Sequence, residues 1–243
     1  MFGKLAWTET KLSIREPTVA VFALAFPLIL LYLLLNSFGT QPDADFSGVN
    51  TADYYVPAYM AGTVAALGLI AIPVHLAAYR ERGVLRRLRA SGISPGAVLV
   101  AQILVSAQIA SVAAIVMLAL GQTSYELSAP ASWMTLVGGM VLTTVTFCAI
   151  GVALSSVLHT ARAAQAIGLL LFFAMFFISG GGPPKEILPD GAALIADALP
   201  LSYAVDVLQQ AWWKGGWHTT GVAVQIGLLI AAAGVAINRL RYV

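Results

Sequence analysis

The feature that most limits what this chain can become is a set of charge-free runs. Six stretches, 17–42, 54–79, 90–125, 127–161, 163–184 and 215–238, contain no Asp, Glu, Lys or Arg. Each exceeds the roughly 20 residues that carry a helix across a hydrocarbon core. Lipid offers no partner to backbone N–H and C=O groups, and a helix satisfies them within one segment. Charged residues make up 10% of the chain and hydrophobic ones 59%, whereas soluble domains carry about 25% charged residues. The expectation is an all-α polytopic membrane protein with spans at about 18–38, 56–78, 96–120, 133–158, 163–181 and 218–238. Residues 1–17 are too polar for a cleaved signal peptide. They read instead as an interfacial amphipathic helix ahead of a membrane domain covering 18–243. Lys4, Lys11 and Arg15 fall on one face of it, and Phe2, Leu5 and Leu12 on another.

Six spans put both termini on one side. With the termini in the cytoplasm, that side holds Lys4, Lys11, Arg15, Arg80, Arg82, Arg86, Arg87, Arg89, Arg162, Arg239 and Arg241. Only Lys185 and Lys214 then face outward, as the positive-inside rule requires. The acids divide the opposite way, with Asp43, Asp45, Asp53, Glu126, Glu186, Asp190, Asp197 and Asp206 outside. Cys148, the only cysteine, excludes disulfides and Cys-based metal sites. His75, His159 and His218 lie far apart, so no metal centre is expected. No repeat of 20–50 residues points to a solenoid. The Ala/Gly/Val-rich composition, with nine arginines to four lysines, suggests a bacterial inner membrane as the location.

Five of the arginines crowd into positions 80–89, between spans 2 and 3. Val84, Leu85 and Leu88 make an apolar edge, while Arg82, Arg86 and Arg89 share a face. The loop reads as a short surface helix ended by Gly92, a residue suited to the C-cap. Its simplest role is to hold anionic head groups, at about 1 kcal/mol per arginine. Gly92–Gly96 also matches G-x-S-x-G, but a nucleophile elbow needs a strand, a sheet and partner His and Asp residues. Ser94 is better read as an N-cap and Pro95 as the first residue of the third span. No catalytic residue is assigned.

The string YRERGVLRRLRASGISPGAVLVAQIL, 79–104, resembles the loop after the second span in ABC-2 type permeases, the type-2 ABC exporters. Glu81, Arg82, Gly83, Leu85, Arg86, Leu88, Arg89, Ser91, Ser94 and Pro95 hold the places of that family's pattern. Two further segments agree: Arg15-Glu16-Pro17 before a first span containing Pro27, and Leu188-Pro189, Leu199-Pro200, Tyr203 and Asp206 after the fifth. The outer pattern is similar to the drug-exporter branch, although Gln209 and Gln210 stand where many drug-export members place an Arg. The resemblance implies that Arg80, Glu81, Arg82, Gly83, Leu85, Arg86, Arg87, Leu88 and Arg89 form the coupling helix that docks on an ATPase. It implies two short helices after the fifth span; at about 190–198 and 201–213 these are too short and broken to cross and read as re-entrant, with Pro189, Pro200, Tyr203 and Asp206 expected in an outer gate.

The chain has no G-x-x-x-x-G-K-[ST], so a separate P-loop ATPase must bind the nucleotide. This chain is expected to hold no cofactor; ATP and Mg belong to that partner. The absence of charge at mid-span argues against an ion-coupled carrier. The other expected partners are the lipid bilayer and a second permease half, either a copy of this chain or a sister permease; no nucleic acid is expected. Gln102, Ser106, Thr143, Thr146, Phe173 and Phe177 are candidate path-lining residues, alongside the bland readings of back-bonded Ser/Thr and lipid-facing Phe. A weakly polar path suits a lipophilic or amphipathic cargo, a drug or a lipid, as in multidrug resistance efflux. The alternatives are a secondary transporter or channel, a polysaccharide or lipid ABC-2 exporter, a membrane-embedded enzyme, and a non-transporting assembly or sensor subunit.

Overall fold

A computed structural model describes residues 20–38, 41–42, 44–84, 87, 90, 92, 95–125, 127–158 and 160–240. Among them are six helices long and apolar enough to cross a membrane, and no strand. In chain order they are α1 (Phe26–Phe38, entered through a π-helical turn, Ala20–Ala25), α2 (Thr51–Glu81), α3 (Pro95–Ser124), α4 (Trp133–Val157) and α5 (Ala161–Ile178), then α8 (Thr219–Leu240). Between α5 and α8 lie two shorter helices, α6 (Asp190–Ala198) and α7 (Pro200–Trp213), bent 87° from each other. The expected interfacial helix at 1–17 lies outside the described residues, as do Leu85, Arg86, Leu88, Arg89, Ser91 and Ser94.

α2 is the axis of the bundle. Every residue from Thr51 to Ile70 is buried, while α1, α5 and α8 turn most of their surface outward. α1, α3, α4, α5 and α7 all pack on it. Its sequence explains this. Ala58, Ala61, Gly62, Ala65, Ala66 and Gly68 present almost no side chain, and small residues let helices approach closely where lipid supplies no hydrophobic drive. The approach is tightest at Gly68. A Cβ built there would lie 2.5 Å from the Phe147 carbonyl oxygen on α4. A Cβ at Gly151 would lie 2.1 Å from the Gly68 oxygen, and one at Gly168 of α5 would lie 2.3 Å from the Leu69 oxygen. Three helices thus cross backbone to backbone at the middle of α2.

Three prolines shape the helices locally. Proline has no N–H and its ring crowds the carbonyl four residues back. Pro27 follows the π-helical turn Ala20–Ala25, and Pro73 follows another, Leu67–Ala71. In the second turn Ile72 N bonds to Leu67 O, five residues back, which widens the helix ahead of Pro73 and relieves that crowding. The third, Pro57, lies near the start of α2 and leaves the Asp53 carbonyl without its helical donor.

Candidate functional site

The arginine end of the bundle is built from the last turns of α2, the α4–α5 turn and the first turns of α3. α2 stops because Gly83 takes φ +66°, a left-handed conformation that glycine reaches without penalty. Arg82 N bonds to Ala78 O and Gly83 N to Arg80 O, closing the helix. Beyond the break, Val84, Arg87 and Ala90 are helical, Arg87 N bonds to Gly83 O, and Gly92 has φ +77°. Arg82 and Arg87 are exposed. Arg80 and Glu81 instead reach back to the bundle. Arg80 Nη2 donates to the Ser155 carbonyl in the last turn of α4, and Glu81 Oε1 accepts from Ala161 N, 3.3 Å away, at the start of α5. Below them Ala77, Leu158 and Ala164 form an apolar cluster with Val74, Leu154 and Ala161. Pro95 opens α3.

Of the candidate path residues, Gln102 and Ser106 are buried on α3, and Ser106 lies within hydrogen-bond reach of Cys148 on α4. Thr143 and Thr146 are fully buried on α4; Thr146 Oγ1 donates to the Gln225 backbone carbonyl on α8 at 3.4 Å. The Gln225 side-chain amide and Thr143 Oγ1 are buried with no hydrogen-bond partner among the described residues. Phe173 and Phe177 stack on α5, with centroids 6.1 Å apart, and Phe177 is exposed. Phe173 meets Phe22 and Phe26 edge-on, and Phe26, Phe172 and Phe176 join it in a ring cluster that continues through Tyr59 to Tyr55 and Tyr54. Gln102 and Ser106 thus belong to α3, Thr143 and Thr146 to α4, and Phe173 and Phe177 to α5.

The far end of the bundle is the most polar part of the fold, and α2 organises it. Asn50 caps the helix, its side chain accepting from Asp53 N at 2.7 Å. The Asp53 carboxylate, 7% exposed, accepts from Ser128 N (3.0 Å), Ser128 Oγ (2.7 Å) and Trp212 Nε1 (3.1 Å). The Asp53 carbonyl freed by Pro57 accepts from Trp213 Nε1 at 3.0 Å, so an indole from α7 replaces the missing backbone donor. Gln209 Nε2 donates to Tyr54 O at 3.2 Å.

Three tyrosines of α2 hold the turn after α5. Tyr55 OH donates to Gly182 O (2.9 Å) and Tyr59 OH to Gly181 O (2.8 Å), while Lys185 N donates to Tyr54 OH (3.1 Å). Glu186 accepts from Tyr54 OH and Ser47. Lys185 pairs with Asp206 on α7 and also donates to Ser202 O. Among the gate candidates, Pro189 and Pro200 start α6 and α7, and Tyr203 OH donates to Asp197 O (2.5 Å), bracing the bend between them.

The sequence reading missed Asp53, Tyr54, Tyr55 and Tyr59. Their signal was present: polar residues crowd the start of an otherwise apolar span, with a proline four residues after the acid. Trp212 also lies away from the membrane interface that indoles ordinarily prefer. It is 2% exposed, because its indole N–H has a buried carboxylate to meet. Trp217 is exposed and keeps an outward-facing position.

This arrangement defines a multi-pass, all-α membrane protein in which one buried helix links a cationic loop at one end to a braced, bent helix pair at the other. The ABC-2 type transporter family model matches residues 2–213, and the chain belongs to that family, whose members are membrane components of transporters. No curated protein matches the chain.

Proposed function

We propose that the chain is the membrane half of an ATP-driven exporter. Its arginine loop faces the cytoplasm and docks a separate ATPase, which holds ATP and Mg. A second half, a copy of this chain or a sister permease, completes the pathway in a bacterial inner membrane. The observation that carries this reading is the loop itself. Gly83 ends α2, and exposed Arg82 and Arg87 stand beyond it, joined directly to the helix on which α1, α3, α4, α5 and α7 pack. A push on the loop would reach the whole bundle through α2. Among the described residues, no acid or base lies in the middle of a span, so the energy must enter from an end. The cargo is lipophilic or amphipathic and of the drug-exporter type, in keeping with the Phe173–Phe177 surface and the Leu199-Pro200…Tyr203 pattern. Pro189, Pro200, Tyr203 and Asp206 belong to the outer gate.

The test is binding of a candidate P-loop ATPase subunit to purified permease. Reversing Arg82, Arg86 and Arg89 to Glu removes three charge contacts of up to about 1 kcal/mol each, so affinity should fall roughly 100-fold. Transport-linked ATP hydrolysis should fall with it. Intact binding and intact coupled hydrolysis in the triple variant would overturn the reading.

A further inference from the structure

We propose that Arg80 and Glu81 are positioning residues that carry motion of the arginine loop into the α4–α5 hairpin, rather than docking contacts for the ATPase. The inference rests on the exporter reading and refines it. The two residues end α2 with opposite charges, and each meets the helix end that suits it. The last carbonyls of a helix lack intrahelical donors and carry partial negative charge; the first N–H groups carry partial positive charge. Arg80 donates to Ser155 O, at the C-terminal end of α4. Glu81 accepts from Ala161 N, at the N-terminal end of α5. Thr160 already caps α5 through Ala163 N, so Glu81 supplies a second capping acceptor from another helix.

These bonds lie over the apolar cluster of Ala77, Leu158 and Ala164. The last turn of α2 and the α4–α5 turn therefore form one block, with the arginine loop attached to it at Arg82. Arg80 is half-buried against that block; Glu81, Arg82 and Arg87 are exposed, and of these three Glu81 bonds back to the start of α5. The pair that bonds back to α4 and α5 ties the loop to the bundle, and the arginines beyond it face the partner.

The purified full chain in nanodiscs tests the tie without any ATPase. In Glu81→Ala, backbone amide exchange over 158–164 should quicken roughly fivefold, the loss expected for one hydrogen bond. Glu81→Gln keeps an acceptor oxygen and should restore most of the protection. In Arg80→Ala, spin labels at positions 87 and 162, both exposed, should give a broader distance distribution than in the parent; Cys148 is buried and does not compete for label. Unchanged exchange in Glu81→Ala together with an unchanged distribution in Arg80→Ala would overturn the proposal. With the ATPase added, both variants should keep complex formation, which reversal of Arg82, Arg86 and Arg89 should weaken roughly 100-fold. Loss of binding in Arg80→Ala would assign that arginine to docking and overturn the proposal. Failure of the parent chain to bind any ATPase would defeat the exporter reading and leave the exchange result standing.

Discussion

Replacing Gly151 with alanine puts a methyl carbon 2.1 Å from the Gly68 carbonyl oxygen, 3.1 Å from the Gly68 carbonyl carbon and 3.2 Å from Ile72 Cβ. Ordinary contact begins near 3.4 Å, so α2 and α4 would have to separate by about 1.3 Å, enough to forfeit much of the dispersion attraction along the crossing. Neither side has a flexible side chain to yield, because the closest neighbour is backbone. Overpacking of this kind costs about 1–3 kcal/mol, and this site belongs at the upper end. Alanine returns up to about 1 kcal/mol as the better helix former. The net loss of about 1–2 kcal/mol corresponds to a melting temperature lowered by roughly 2–8 °C in a chain of this size. The control is Gly227→Ala on α8, where a Cβ meets nothing within 4 Å; its melting temperature should hold or rise slightly. Heating of detergent-purified protein followed by size-exclusion chromatography reads both. If Gly151→Ala melted within a degree of Gly227→Ala, the backbone-to-backbone crossing would be wrong.

The far end offers further checks by the same assay. Asp53→Ala strips the acceptor from Ser128 N, Ser128 Oγ and Trp212 Nε1 and should cost about 3 kcal/mol; Asp53→Asn keeps an acceptor oxygen and should cost markedly less. Trp213→Phe should cost about 1 kcal/mol. That cost should shrink in a Pro57→Ala background, where a backbone N–H returns to the Asp53 carbonyl, and a double-mutant cycle measures the coupling. Lys185→Met should change stability by no more than about 1 kcal/mol, since the Lys185–Asp206 pair is part-exposed, at 22% and 30%.

The spans were legible because a membrane leaves a simple mark, namely long runs without charge. The bent pair was legible for a related reason: Pro189, Pro200 and the acids between them interrupt an apolar segment too short to cross twice, and α6 and α7 occupy Asp190–Ala198 and Pro200–Trp213. What stayed hidden was which helix sits at the centre. In soluble proteins the buried helix is the most apolar one, but inside a bilayer the outward-facing helices are equally apolar. The axis is marked instead by small residues and by polar groups that find partners only in the fold. Asp53 reads in isolation as a loop acid outside the membrane, and Trp212 as an interfacial anchor. Only their meeting, 159 residues apart in sequence, shows that each is there for the other.

The Pro57–Trp213 arrangement also sets an order of events during synthesis. α2 is made early, yet the donor for its Asp53 carbonyl comes from 160 residues further along the chain. Two of the groups that meet its carboxylate sit 75 residues away, on Ser128, and the third on Trp212. The central helix therefore enters the membrane with bonds it cannot make, and completes them only when α7 arrives. A ribosome that stalls before Trp212 leaves behind a membrane protein whose axis is unfinished.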